Sequence, residues 1–402
     1  MASPSARRDG REPPNLPHPS AFCYDSPKEL QGGASYLVAP RHADAGEKVT
    51  HRLSMAYERV AIMIDLYSDT MTKPTAAMRQ RMAAAEVGDE QKGEDPTVNR
   101  LQDMVAELLG KEAAVYLPSG TMCNEVSFAV WARTGDEMIL HRDSHPVHFE
   151  VGGPAYLALI MLYPVDGPRG TFTPEQVEEA IRPDSPHYPR SRIVEIENTH
   201  NMGGGSIWPL PQLQAVCAAA HRRGLVTHLD GARLLNAVVA TGIPAYTYAE
   251  PFDSAWVDLS KGLGCPVGAV LAGSHAFIKD ARRLKHLFGG AMRQAGVIAA
   301  AGVYALQHHV ARLAEDHEHA KALARALAEL PHVRLDPADV ETNIVIFDIG
   351  ATGRPAQELA EHLEKEGVRV SVMGRTKLRA VTHLDVSRQD IERATQVVRR
   401  VL

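Results

Sequence analysis

From residue 63 onward two hydrophobic patterns alternate along the chain. Short runs rich in Val, Ile, Leu and Tyr ("KEAAVYLPSG", "EMILH", "IMLYPV", "RIVEIENTH", "LVTHLDGA", "SAWVDLSKG") predict β-strands, several of them ending in small or reactive residues. Between them, apolar residues spaced three or four apart predict helices, as in "TMCNEVSFAVWAR", "TPEQVEEAIRP" and "LPQLQAVCAAAHRRG". This alternation predicts an α/β fold with a mainly parallel sheet flanked by helices. The helix in "EDPTVNRLQDMVAELLG" has marked ends: Asp95 suits the N-cap, Pro96 the first helical position, and Gly110 follows the last turn. Residues 293–329 predict a long, Ala-rich helical stretch. From about residue 331 the pattern changes to "VRLDP", "TNIVIFDIG", a helix "PAQELAEHLEKEG", "VRVSVMG", "LRAVTH" and a last helix, a small α+β unit. The expected organisation is a large domain over 63–308 and a small C-terminal domain over 309–402, with no internal repeat. Residues 1 to about 50 are rich in Pro, Ser, Gly and charge and lack apolar periodicity, and 1–62 are expected to form a disordered or loosely docked extension. Met63, which opens "MIDLYSDT", is a candidate functional start.

Composition narrows the function classes. A net charge of -6 argues against a nucleic-acid binder or a basic membrane-surface protein. No apolar run reaches membrane-spanning length, and no charged start followed by an apolar core suggests secretion. Cys23, Cys123, Cys217 and Cys265 share no short spacing, which favours reduced thiols in a cytoplasmic protein over a disulfide frame or a metal site. No GxGxxG or P-loop motif follows an early strand, so a plain nucleotide-binding protein ranks last.

Three strand-end segments carry the candidate chemistry. "PSGTMCN" places Ser119, Gly120 and Thr121 at a helix N-terminus, where free N–H groups and the helix dipole favour a phosphate. "HLDGAR" places Asp230 at a strand end with Arg233 three residues on. "VDLSKGLGCPVGAV" sets Lys261 where a strand enters a glycine-rich turn between apolar stretches. Taken singly, each has an ordinary structural reading: N-cap chemistry, a capping Asp paired with Arg, a surface lysine. Together, a phosphate cradle, a carboxylate and a partly buried lysine meet the requirements of pyridoxal 5'-phosphate (PLP). The lysine forms the Schiff base, and the carboxylate keeps the pyridine nitrogen protonated so that the ring withdraws electrons from Cα.

At the level of whole motifs the chain resembles the low-specificity L-threonine aldolases, within the β-eliminating-lyase branch of the fold-type-I PLP enzymes. The matching stretches include "SDTMTKPTAAMRQRMAAAEVGD", "GEDPTVNRL", "LGKEAAVYLPSGTM", "ENTHN", "HLDGARLLNAVVA", "LSKGLGCPVGAVLAG", "GAMRQAGVIAAAGVYAL" and "VTHLDVSR", covering most of the chain from Ile64 onward. The resemblance implies retro-aldol cleavage of L-threonine, L-allo-threonine or a related β-hydroxy-α-amino acid to glycine and an aldehyde. It further implies a homodimer or homotetramer with sites at subunit interfaces. By the same resemblance Lys261 would be the Schiff-base lysine and Asp230 the pyridine partner, while Gly120 and Thr121 would bind phosphate. Arg233 would lie near the cofactor's phenolic oxygen, and Arg293 would approach a neighbouring subunit's cofactor phosphate. His145 would stack on the ring, His200 would lie near the β-hydroxyl, and Ser68 and Arg379 would hold the substrate carboxylate. These residue types suit the roles. Imidazole is planar and titrates near neutrality, and guanidinium grips a carboxylate through two parallel hydrogen bonds.

Three positions depart from the family pattern. Tyr67 replaces an arginine, Lys92 a tyrosine and His286 a lysine. Two readings are open: a relocated charge, with Lys92 taking over what Tyr67 and His286 gave up, or an altered substrate pocket. The functional alternatives are a phenylserine-type or specialised-pathway aldolase, a PLP β-lyase releasing pyruvate and ammonia, and a PLP-binding scaffold without turnover. The intact Asp230 and Lys261 pair, with both histidines, argues against the scaffold.

Overall fold

Strands inside a parallel sheet are covered on both faces and therefore read as unbroken apolar runs. In the computed structural model, which describes residues 63–402, four such runs are buried at every position: Glu137–His141, Val226–Gly231, Ser254–Asp258 and Ala269–Gly273. The expected N-terminal extension, 1–62, lies outside the described residues. In chain order, β1 (Ile64–Asp65) is followed by β2 (Ala113–Leu117), β3 (Glu137–His141), β4 (Met161–Val165) and β5 (Ser191–Glu197). Next come β6 (Val226–Gly231), β7 (Ser254–Asp258), β8 (Ala269–Gly273), β9 (Ile344–Asp348), β10 (Val368–Arg369), β11 (Ser371–Val372) and β12 (Lys377–Val381). Strands β2 to β8 form one seven-stranded sheet in the order β2-β8-β7-β6-β5-β3-β4. β8 runs opposite to the other six strands of that sheet. Its parallel strands therefore deliver their carboxyl ends to one edge, where ligands of open α/β sheets collect.

The helix predicted from "EDPTVNRL" spans Pro96–Leu109, with Asp95 as N-cap and Gly110 in the left-handed region at φ 62°. Asp95 does more than cap. It accepts from Thr97 and Val98 N–H in its own helix, and also from Gly88 N–H and from Gly296 N–H at the start of a second helix. The expected single helical stretch over 293–329 is instead two helices, Gly296–His308 and Leu313–Ala328. The break falls where His309 Nδ1 meets the Leu263 carbonyl at 2.7 Å, tying the end of the first helix to the turn that follows Lys261.

Beyond the break, β9, β11 and β12 form a three-stranded antiparallel sheet in the order β11-β12-β9. Of "VRLDP", only Arg334 joins it, through an isolated bridge to Asp348. The pairing of β1 with β10 was not anticipated. It brings Ile64 and Leu66 into the apolar core built by Phe347, Leu359, Leu378 and Ile391. The described N-terminal segment is thus packed with C-terminal elements, and the Tyr67 carbonyl, next to Ser68, accepts from Arg379 Nη2 at 3.5 Å.

Asp95→Ala leaves four N–H donors without their acceptor. It is expected to cost about 2–4 kcal/mol in urea denaturation; a loss below about 0.5 kcal/mol would mean that water replaces the carboxylate at no cost.

Candidate active site

The strand ends assemble the site. After β7, the chain passes Asp258 and turns at Lys261, with Gly264 at φ 75° closing the turn. A left-handed residue suits glycine, so the turn can be this tight. The Lys261 carbonyl accepts from Thr72 Oγ1 at 2.9 Å and from Gly264 N–H at 2.9 Å. Its amine is mostly shielded and lies 3.4 Å from Asp258 Oδ2.

Asp230, at the end of β6, is 1% exposed. Its Oδ1 accepts from Ala232 N–H at 3.0 Å and its Oδ2 from Asn124 Nδ2 at 2.9 Å. Burial, then the charge of Glu197, pushes its pKa up to about 6 against the pull of His145 and Lys261. A carboxylate in this setting lacks a cation, and a protonated ring nitrogen is the kind of group that supplies one.

At the end of β5, Glu197 accepts from Asn201 N–H at 2.7 Å and from His145 N–H at 2.9 Å. His145 opens a short helix, His145–His148, and its Nδ1 lies 2.9 Å from Glu150 Oε1. Burial lowers the His145 pKa, but the carboxylates of Glu150, Asp230 and Glu197 outweigh it and the net shift is upward. Beside Glu150, Glu125 has no hydrogen-bond partner on either oxygen. Burial and repulsion from Glu150 push its pKa up to about 9, so it is protonated at neutral pH.

Arg233 forms a two-point pair with Asp69: Nε to Oδ2 and Nη2 to Oδ1, both 2.7 Å. Asn343 Nδ2 adds a third donor to Asp69 at 3.1 Å. Burial alone would raise the Asp69 pKa, and Arg233 reverses this to well below the carboxylate range. Arg379 is held by Asn201 Oδ1 at 2.6 Å and Ser371 Oγ at 3.2 Å, with its pKa lowered to about 10 by burial and by Arg233. The Ser68 hydroxyl accepts from Thr70 N–H at 3.2 Å.

One cavity of about 650 Å³ is lined by Lys261, Arg233, His145, Ser68 and Arg379, together with Tyr67 and Asn201. Asp230 lies beneath it, out of contact with solvent. Gly120 and Thr121 begin the helix Gly120–Trp131 capped by Ser119, outside the cavity lining. A Cβ at Gly120 would sit 2.3 Å from Trp256, so only glycine fits there. His200 does not line the cavity. It is fully buried, its Nδ1 accepts from Gly203 N–H at 3.0 Å, and its Nε2, 3.9 Å from Glu197, has no hydrogen-bond partner. Arg293 also lies outside, exposed and paired with Asp89 at 3.0 Å. Among the three departures, only Tyr67 lines the cavity, beneath the Arg369 guanidinium at 4.6 Å; Lys92 and His286 are exposed. Lys285, next to His286, is buried in an ion pair with Glu90.

Sequence reasoning did not single out Asp69, Asn124, Glu150 or Glu197. A polar pair, Asn124-Glu125, inside an otherwise apolar helix was the available signal for the second of these. The partnership of Asp69 with Arg233 spans 164 residues and leaves no local trace.

Residues 65–349 match the family model for beta-eliminating lyases. The chain is 42% identical over 330 residues to the low specificity L-threonine aldolase of Escherichia coli (strain K12), covering 82% of this chain and 96% of that one. In fold it is similar to the threonine aldolase of Leishmania major, with TM-score 0.73 and 20% identity over 84% of this chain and 100% of that one. It is also similar to an SPT chain solved with PLP, with TM-score 0.64 and 17% identity over 84% of this chain and 87% of that one. The fold is thus that of the fold-type-I α/β proteins. The chain belongs to the low-specificity L-threonine aldolase family, carbon–carbon lyases within the beta-eliminating lyases.

The protonated Glu125 makes stability depend on pH. Its folded pKa of about 9 lies above its ordinary 4.5, so the unfolded chain sheds this proton first and stability falls as pH rises between those values. Glu125→Gln removes the effect. In denaturation of the cofactor-free protein it is expected to match wild type near pH 4 and to exceed it by about 2–4 kcal/mol at neutral pH. A difference independent of pH would show that Glu125 is ionised in the folded chain.

Proposed function

We propose that this protein is a PLP-dependent aldolase that cleaves the Cα–Cβ bond of L-threonine, L-allo-threonine or a related β-hydroxy-α-amino acid, releasing glycine and an aldehyde. The observation that carries this reading is the convergence of Lys261, His145, Ser68, Arg233 and Arg379 on one cavity above the buried Asp230. The residues fit the cofactor: Lys261 offers a shielded amine for covalent attachment, and Asp230 a carboxylate short of a cation. Gly120 and Thr121 offer the N–H groups of a helix start for the phosphate, and His145 a ring at the cavity wall. When bound, PLP supplies an electron sink for the pair released from the Cα–Cβ bond.

The chain's own residues then bind, orient and move a proton. Arg379, fixed by Asn201 and Ser371, is cationic at neutral pH and grips the substrate carboxylate, with the Ser68 hydroxyl beside it. With PLP bound, that grip would orient Cα and so decide which of its bonds is presented for cleavage. Loss of the β-hydroxyl proton drives cleavage toward the aldehyde. His145 is better supported than His200 as its acceptor. His145 lines the cavity and draws basicity from Glu150, whereas His200 is enclosed and burial lowers its pKa. With Nδ1 accepting from Gly203, the His200 ring carries its proton on Nε2 and acts as a donor.

An assembly of two or four copies belongs to the same reading. Val151, Tyr156, Leu159 and Met161 are exposed apolar side chains close in sequence to Phe149, which lines the cavity. Arg293 is free of the cavity and available to a neighbouring copy. No helix among the described residues is long and apolar enough to cross a membrane. We place the protein in the cytoplasm, and take 63–308 as the PLP-binding domain and 309–402 as a small C-terminal domain that contributes Arg379 to the cavity.

The test is incubation of purified protein and PLP with a panel of β-hydroxy-α-amino acids. Glycine with aldehyde is expected; pyruvate with ammonia would identify a β-lyase, and no product a scaffold. Lys261→Ala should lose both the visible cofactor absorbance and turnover. His145→Asn should lower kcat about 100-fold or more, and His200→Asn much less. The reverse order would return the proton transfer to His200.

A further inference from the structure

We propose that Asn124 is a positioning residue that ties Asp230 to the Glu150–His145 pair, so that the carboxylate beneath the site and the histidine at its wall are set by one amide. The inference rests on the proposed PLP chemistry, and it gives a role to Asn124 and Glu150, which the sequence did not single out.

Asn124 is fully buried in the first turns of the helix Gly120–Trp131. Its Oδ1 accepts from Trp256 Nε1 at 2.7 Å and from His228 Nε2 at 3.1 Å. Its Nδ2 donates to Glu150 Oε1 at 2.7 Å and to Asp230 Oδ2 at 2.9 Å. The amide orientation follows from chemistry. An indole N–H only donates and a carboxylate only accepts, so oxygen must face Trp256 and nitrogen the two acids.

The direction of the hydrogens can be traced further back. Trp131 Nε1 donates to Ser254 Oγ at 2.9 Å, so the serine hydroxyl is free to donate to His228 Nδ1 at 2.8 Å. His228 then carries its own proton on Nε2, facing Asn124. Burial keeps this ring neutral, with a pKa of about 3. Every donor in the chain Trp131–Ser254–His228–Asn124 points toward Asp230 and Glu150. The two amide hydrogens are both used, one per carboxylate, and both oxygen lone pairs are occupied.

Glu150 Oε1, the atom that receives Asn124, also lies 2.9 Å from His145 Nδ1. Three hydrogen bonds therefore connect Asp230 to the histidine at the cavity wall. Packing alone does not call for this residue. Asparagine is a poor helix former, and it interrupts a helix whose buried positions include Cys123, Val126 and Phe128. Removing the amide would leave Asp230 Oδ2 and Glu150 facing one another with no donor between them.

The test compares four purified proteins titrated with PLP: wild type, Asn124→Leu, Glu150→Gln and Asn236→Leu. The last removes a buried side-chain amide that takes no part in this chain of donors and contacts His317 at 3.1 Å. The readouts are the PLP Kd by absorbance, the visible circular dichroism per bound cofactor, and Tm. Asn124→Leu should weaken PLP binding about tenfold or more and lower the dichroism, the loss of about one buried hydrogen bond or more. Glu150→Gln removes the negative charge that His145 Nδ1 faces and leaves the bond from Asn124 to Asp230 in place. It should hold Kd within about threefold while lowering the dichroism, and it carries the test if Asn124→Leu does not fold. Asn236→Leu should lower Tm and leave both cofactor readouts at wild-type values. The proposal is overturned by wild-type Kd and dichroism in folded Asn124→Leu, by wild-type dichroism in Glu150→Gln, or by equal losses in Asn236→Leu. Wild-type protein that binds no PLP overturns the proposed function, and this inference with it.

Discussion

Five carboxyl groups, those of Glu125, Glu150, Glu195, Glu197 and Asp230, are buried at or near the carboxyl edge of the central sheet, and the positive charges that act on Asp230 are those of His145 and Lys261. Isolated charges cannot be kept in such a place. The structure answers in three ways. Burial pushes the pKa values of Glu125 and Glu195 up, toward the uncharged acid. Glu197 takes two backbone N–H donors, and Asp230 takes one backbone and one amide donor. Asp230 is still left with a raised pKa, which marks where positive charge is missing. A pyridinium nitrogen is suited to that deficit, and a lysine at the mouth of the same cavity is suited to hold the ring that carries it.

A second constraint is the buried Asp69. It joins Arg233, which follows β6, to Asn343, which precedes β9, and it sits next to Ser68 and Tyr67 in the N-terminal segment. Three remote parts of the chain meet at this one carboxylate. Because a buried charge left without its partner is strongly destabilising, the pair holds the C-terminal sheet and its Arg379 against the edge where Lys261 emerges. Substrate grip and cofactor seat are in this way parts of one electrostatic arrangement.

Much of this was readable in the sequence where the physics is local. Unbroken apolar runs marked the buried strands, and Asp95, Pro96 and Gly110 marked a helix whose ends fall where expected. Lys261, Asp230 and the start of the helix at Gly120 were legible because each sits at a strand end. What was not legible depends on contacts between distant residues. The His309 link to Leu263 divides a stretch that reads as continuous helix, and β1 pairs with a strand about 300 residues later. The enclosure of His200 behind Gly170 and Gly203 has no signature in "ENTHN". Asn124 looks like a minor flaw in an apolar helix until its four partners are known.

The most direct test of the central claim is chemical. Protein loaded with PLP is reduced with borohydride, digested, and its peptides weighed. The account predicts a pyridoxyl group on the peptide containing Lys261. A label on any other lysine, or none on a protein that nonetheless turns over substrate, would contradict it.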